Sequence, residues 1–487
     1  MGGLQGSGRR PLGARIAPLA GPALHEFPTA AGARLDSGGL VVVVVFVTQM
    51  RKGPSVLAKV VCLQVLPEGA PSVGVASPGL ARLIAAVAVA ALAVRNSVGP
   101  DVTPGLIVGI LLTPVWLPSL SRFRGGRLVA GGLVAALVSG YLLATLGTGH
   151  QILTHAQLYS TGLILTLIGG IGVVLWSRTY LSVGAVGVCF GVGLVVDAVL
   201  GGASDLAAGN PLKYTWSIPV TVLVLGVAAL SRAKLLDLFL LAVLCAALTV
   251  VDARALFGVC FLALIVVIWQ RRPGITTRAR SWLRTAAFVG ALVLVIYQLS
   301  TALVLDGALG TDAQARSVAQ IQASGSLLLG GRPELGATLS LMAHRPMGFG
   351  LGVVADAEDI AVAKKGMASL GYDPENGYVD NFMFGDEVEL HSVFGDLWGR
   401  FGIVGLAVAA MMAVQVIRGI VVRISQRAAG GLVVVLGFYT MWNVLFSPIR
   451  ASVPLLIITI GLLLTVQGAA GVQGAARGTA ADAGGAA

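Results

Sequence analysis

Twelve apolar runs constrain this chain more than any motif in it. A helix that crosses the hydrocarbon core of a bilayer needs about 20 mostly apolar residues, with roughly 17–25 usual. Runs of this character lie at 80–94, 102–117, 128–146, 158–176, 181–200, 218–230, 235–250, 255–269, 286–305, 397–417, 432–446 and 453–466. With 56% hydrophobic and 11% charged residues and a mean hydropathy of +0.88, the chain lies far outside the range of soluble globular domains. The expectation is an all-α polytopic integral membrane protein with about twelve transmembrane helices.

The two ends differ from the rest. Residues 1–79 are dominated to Gly39 by Gly, Pro, Ala and Arg, and the apolar stretch 40–47 is too short to span. No fold is expected there. Two readings stay open, a translation start placed upstream of the true one (Met50 or later) and a disordered cytoplasmic arm. A signal peptide is disfavoured, because the apolar stretch lies far from the start and no clean small-residue cleavage site follows. Residues 468–487 are rich in Ala and Gly and read as a disordered cytoplasmic tail.

Lys and Arg in short loops resist translocation, so their distribution orients the spans. If the first span enters from the cytoplasm, the inner loops carry Arg122, Arg124, Arg127, Arg178, Arg232, Lys234, Arg271, Arg272, Arg278, Arg280, Arg284, Arg418, Arg423 and Arg427. The short outer loops carry only Arg95, Lys213, Arg254 and Arg450. This alternation places both termini inside, and it accounts for the net charge of +11 without a nucleic-acid partner. An anionic inner leaflet of membrane lipids would attract the same charges.

The expected organisation is then helices one to nine over 80–305, one large extracytoplasmic loop over 306–394, and helices ten to twelve over 395–467. The loop holds twelve of the 22 acidic residues, including Asp356, Glu358, Asp359, Asp386, Glu387 and Glu389. A connection this long is functional or an inserted subdomain more often than a plain link. Within it Arg332-Pro333 opens a helix, Pro being harmless at an early position, and Leu335, Leu339 and Met342 are expected to line one face. Pro346 and the glycines of 347–352 end it. That glycine run has no strand-turn-helix frame around it, so it does not read as a nucleotide loop. Of the run 386–389, a solvated acidic face is the favoured reading over a divalent-ion site. The cysteines are scattered without a CxxC pair, and none of the five histidines has metal-ligand spacing.

Three charged or titratable residues fall at the outer boundary, where polar groups are functional candidates by default. Arg254 stands at the mouth of a span, Arg332 opens the loop helix, and His391 runs directly into span ten. Each has an ordinary explanation: an interfacial anchor for Arg254, an ion pair with Glu334 or another loop acid for Arg332, and a satisfied interfacial histidine for His391.

Together they resemble the membrane family that contains the O-antigen ligases and the lipid-linked O-antigen polymerases. That family ends its last large outer loop with His-Asn-x-x-Leu and then Glu-x-Gly-x-x-Gly-Leu; here His391, Gly402, Gly405 and Leu406 keep the spacing. Upstream, a Gly-Arg, a helix and Pro-Leu-x-Gly-x-Gly are matched by Gly331-Arg332 and by Pro346-Met347-Gly348-Phe349-Gly350. A Ser-Arg-x-Ala further upstream is matched in part by Ala253-Arg254-Ala255. Ser392, Gly395, Arg400 and Ala253 depart from the family's Asn, Leu, Glu and Ser, and the likeness covers roughly 245–410.

The resemblance implies a bacterial inner-membrane glycosyltransferase of polysaccharide biosynthesis, with its active site facing outside. It would move an oligosaccharide from a polyprenyl-diphosphate-linked donor to a glycolipid, glycan or protein hydroxyl, with inversion and with neither metal nor cofactor. The residue types suit that chemistry. Guanidinium forks bind the developing diphosphate charge, a role for Arg254 and Arg332, with Arg345 and Arg316 as secondary candidates. Imidazole, with an ordinary pKa of about 6.5, accepts a proton near neutrality, a role for His391, with Ser392 beside it. The alternative class is a secondary transporter or lipid-linked glycan flippase, which twelve spans would suit. Against it stand the few charges within spans, such as Asp197 and Asp237 near span ends, and the lack of an evident repeat. A non-catalytic scaffold is a third reading.

Overall fold

Every one of the twelve apolar runs folds as helix, because in each the backbone can satisfy its own polar groups while the side chains bury apolar surface. The computed structural model describes residues 77–97, 102–147, 150–201, 210–231, 233–271, 282–307, 310–385 and 387–467. The expectations for 1–76 and 468–487 lie outside them. In chain order the apolar helices are α1 Pro78–Ala91, α2 Pro104–Leu111, α3 Thr113–Trp116, α4 Gly126–Leu146, α5 Thr154–Ser177, α6 Val183–Leu200, α7 Ser217–Ser231, α8 Lys234–Val250, α9 Arg254–Gln270 and α10 Trp282–Leu305. Four helices that are short or more polar follow: α11 Thr311–Ser324, α12 Leu327–Gly330, α13 Glu334–His344 and α14 Ala357–Ala368. The chain closes with α15 Val393–Ser425, α16 Gly431–Phe446 and α17 Ile449–Leu463. The described residues are all-helical, with no strand among them, and fall in one unit, Ala76–Ala487.

Length divides these helices. Six are long and apolar enough to cross a membrane alone, α4, α5, α6, α7 with the turn that precedes it, α10 and α15, or seven if a bent pair counts as one span. The bent pair is the run 102–117, read from sequence as one span. It breaks between α2 and α3 with a bend of 63°. Pro114 is the reason: it has no N–H for an intrahelical bond and its ring clashes with the preceding turn, and Leu112 leaves helical geometry at φ −91°, ψ 9°. The remaining five apolar helices, α1, α8, α9, α16 and α17, run 14–17 residues.

Small residues let helices approach closely where apolar side chains gain little by leaving lipid. A Cβ at Gly187 of α6 would stand 3.2 Å from the Cα of Gly226 on α7, and one at Gly109 of α2 would stand 3.3 Å from that of Gly169 on α5. The main core joins α1 to α10 with α15, α16 and α17. A second, smaller core gathers Ala337, Leu341, Phe349, Ala363, Met367, Val379 and Trp398 with Ala144 of α4, so the chain from Ala337 to Leu390 packs on itself, on the end of α4 and on the start of α15.

The glycine run finds its explanation here. Gly402 interrupts α15 with φ 66°, ψ −153°, a conformation open in practice to glycine, and the break leaves carbonyls of the preceding turn without helical partners. Phe349 N–H (2.8 Å) and Gly350 N–H (3.1 Å) donate to the Gly399 carbonyl. Gly348 and Gly350 have positive φ, and a Cβ at Gly348 would lie 2.5 Å from the Trp398 carbonyl oxygen. The run is therefore a patch over a helix break.

In α13 one expectation is corrected. Leu339 is 63% exposed, and the packed face is Ala337, Thr338 and Leu341. The helix turns its smaller residues inward because α14 lies close against it: a Cβ at Gly336 would meet the Gly366 carbonyl oxygen at 2.3 Å.

Candidate functional site

His391 lies where the segment 387–390 turns into α15, and the residues around it are pinned one after another. Ser392 is buried and caps α15, its Oγ accepting from the Gly395 N–H (2.9 Å). That hydroxyl is occupied by a structural bond, as N-cap serines are. Asp396 is fully buried one turn on and accepts from the Leu390 N–H (2.6 Å) and the Ile449 N–H (2.7 Å). Arg400, 3% exposed, donates to the Val388 carbonyl (3.3 Å) and to Ser160 Oγ (3.0 Å), and pairs with Glu387 (3.3 Å). Between these anchors His391 takes a left-handed backbone, φ 55°, a strained state for a residue with a side chain that persists only where its surroundings enforce it.

The imidazole has a defined orientation. Its Nδ1 lies 3.3 Å from the Glu389 carbonyl oxygen. A carbonyl can only accept, so this bond assigns the proton to Nδ1 and leaves the Nε2 lone pair for a substrate. The ring packs 5.6 Å from that of Tyr378. Burial, and then the Glu334 carboxylate to which the Tyr378 hydroxyl donates (3.0 Å), push that phenol up from its ordinary value, so it stays a neutral donor.

Arg332 comes to the same place from the other side. It stands just before α13, and its guanidinium lies over the rings of Trp442 (5.6 Å) and Phe446 (5.9 Å) of α16. Among the described residues it has no ion pair. The partner expected from sequence, Glu334, is turned away to Tyr378, and its second oxygen is buried without a hydrogen bond among the described residues. Arg332, Glu334, Leu390, His391, Ser392 and Phe446 line one narrow cleft, which in this conformation is closed even to water. Segments far apart in sequence thus place a cation held only by aromatic rings, a buried carboxylate oxygen and an imidazole around one space.

The other candidates stand elsewhere. Arg254 opens α9 and is bonded to Asp252 (2.8 Å), whose second oxygen takes Lys213 (3.2 Å). Hydrogen bonding from Arg254 holds the Asp252 carboxyl below its ordinary value. This ion pair is not among the readings of the sequence, and Arg254 is not among the residues lining the cleft. Arg345 follows α13 and is engaged through two of its three nitrogens: it bonds Asp359 through Nε, and Asp356 (3.1 Å) and His150 Nε2 (2.8 Å) through Nη2. Arg316 is exposed on α11.

Two features were missed by sequence reasoning. Glu387 is not part of a solvated acidic face. Its carboxylate is 17% exposed against Arg400, and burial pushes its carboxyl up despite that partner. His150, from the link between α4 and α5, joins Asp356 and Asp359 at distances that could hold a metal ion. The Arg345 guanidinium already supplies positive charge to both carboxylates, so the donor set fits an ion-pair cluster better than a cation site. No local spacing announces either feature, because each is made by residues distant in sequence. No family model, curated protein or solved structure gives a match to this chain.

Proposed function

We propose that this protein is a glycosyltransferase of the O-antigen ligase or polymerase kind, moving an oligosaccharide from a polyprenyl diphosphate to an acceptor hydroxyl. It would act at the outer face of a bacterial cytoplasmic membrane, which the chain crosses about twelve times. The observation that carries the reading is the convergence of Arg332 and His391 on one cleft at the ends of apolar helices. A diphosphate anchored by its lipid lies at headgroup depth, so groups that serve it belong at such ends. The acceptor oxygen attacks the anomeric carbon from behind, the bond from that carbon to the diphosphate oxygen breaks, and polyprenyl diphosphate departs. The acceptor's proton passes to His391 Nε2. Arg332, lacking a carboxylate partner among the described residues, is free to bind the charge that develops on the leaving diphosphate. The charge alternation of the loops supports the orientation.

A second reading, passage of a lipid-linked glycan across the membrane, is favoured by the breaks at Leu112 and Gly402, since interrupted helices often build transport sites. The test is release of free polyprenyl diphosphate from a lipid-linked oligosaccharide by purified protein. Release by wild type, retained in chelator and reduced by about 100-fold or more in His391→Ala, is the expected result. Unchanged release in the variant would remove the proposed role of His391, and no release from any of several donors and acceptors would favour transport.

A further inference from the structure

A roomier cavity than the cleft of Arg332 and His391, a space of about 420 Å³, lies on the other side of the wall that bounds that cleft. The segments 389–392 and 445–451 serve both: His391 and Phe446 face the cleft, whereas Glu389, Pro448 and Arg450 face the cavity. Its other walls come from the end of α1, from α5 and from the end of α6. The volume falls in the roughly 300–1,000 Å³ range of small-molecule sites.

The lining has an electrostatic pattern that points to a class of ligand. Asp197 is spent on structure: it accepts from the backbone N–H groups of Arg95 (2.6 Å) and Asn96 (3.0 Å), from Arg95 Nε (2.8 Å) and from the Asn96 amide. Arg95 therefore lines the cavity with its charge balanced and, among the described residues, with no bond from its terminal N–H groups. Arg450 and Glu389 are different. Arg450 lies over the Tyr159 ring (5.7 Å), and among the described residues neither it nor Glu389 has an opposite charge within ion-pair distance, although Glu387 and Arg400 act on them from further off. One unpaired donor group and one unpaired acceptor group thus share a cavity, near a phenol and above apolar side chains of Leu92, Leu163 and Val453. An anion would meet repulsion from Glu389. A sugar suits the set, because each hydroxyl donates and accepts at once and the C–H faces suit the apolar walls.

We propose that this cavity is a carbohydrate subsite that seats one uncharged sugar unit of the acceptor, remote from the unit whose hydroxyl reacts at His391, held between Arg450, Glu389 and Arg95. It rests on the transfer reading for calling that sugar the acceptor. The sugar-binding claim itself stands or falls separately, because binding is measured without turnover. The experiment is saturation-transfer NMR on the full-length protein in detergent, with N-acetylglucosamine and methyl glucoside as probes, and phosphorus NMR line broadening of inorganic pyrophosphate as the competing class. Saturation of at least one sugar is expected. Arg450→Ala and the isosteric Glu389→Gln should each weaken it by about tenfold or more, and Arg332→Ala should leave it unchanged. The proposal is overturned if neither sugar is saturated by the wild type, if both cavity variants bind sugar as the wild type does, or if pyrophosphate alone binds in an Arg450-dependent way. Sugar binding without transfer from any donor would sink the transferase reading and leave the subsite standing.

Discussion

Two arginines flank α13, each over an aromatic ring, and they differ in what else holds them. Arg345, at its end, is bonded by Asp356, Asp359 and His150. Arg332, before its start, has rings beneath it and, among the described residues, no carboxylate within ion-pair distance. Both belong to a segment rich in acids, so the nearness of opposite charge in sequence decides nothing. The difference lies in where the nearby acids are committed. Asp359 reaches Arg345 because it caps α14 in a reciprocal box with Asp356, whereas Glu334 is held by Tyr378. A guanidinium tied to several acceptors acts as a brace, and one with no carboxylate within reach can still take an incoming anion.

Substitution at the two positions should separate these roles. Arg345→Ala leaves the buried Asp359 carboxylate short of its main partner and is expected to lower stability by about 2–3 kcal/mol, a value discounted because the arginine is 26% exposed. Arg332→Ala removes no ion pair among the described residues and should change stability by less than about 1 kcal/mol. Denaturant unfolding of both variants in the same detergent measures this. An equal loss for the two would mean that Arg332 is also a brace.

A smaller effect distinguishes the ends of α13 by pH. The Asp359 backbone N–H, with Arg345 and His150 behind it, holds the Asp356 carboxyl below its ordinary value of 3.8. Because the folded value is depressed, its contribution is present above 3.8 and is lost as the pH falls through the lower folded value. Amide exchange within Ala357–Ala368 should therefore lose protection on acidification, by about 1 kcal/mol as for a lost helix cap and less where solvent screens the pair. Flat protection across that range would contradict the pinned Asp356.

Much of this architecture is legible in the sequence, since an apolar run of sufficient length has few ways to bury its backbone polar groups. The twelve runs are helical, and Arg332-Pro333 does mark the start of α13. What sequence hides is commitment and direction. The 63° bend at Pro114 looks like an unbroken span when only hydropathy is counted. The fully buried Asp396 looks like an ordinary first-turn acid until its two backbone partners, on 390 and 449, are seen. The candidate site was half legible. Arg332 and His391 converge as their shared role would need, while Arg254 is bonded to Asp252 next to it, a partner two residues away that spacing alone left undecided.

The central claim is that Arg332 is the guanidinium available to a diphosphate. The most direct measurement is binding of farnesyl diphosphate, a short soluble carrier, to wild type, Arg332→Ala and Arg345→Ala by titration calorimetry in one detergent. The account predicts binding that weakens by about tenfold or more in Arg332→Ala and survives in folded Arg345→Ala. Binding retained in Arg332→Ala, or lost only when Arg345 is replaced, would contradict it.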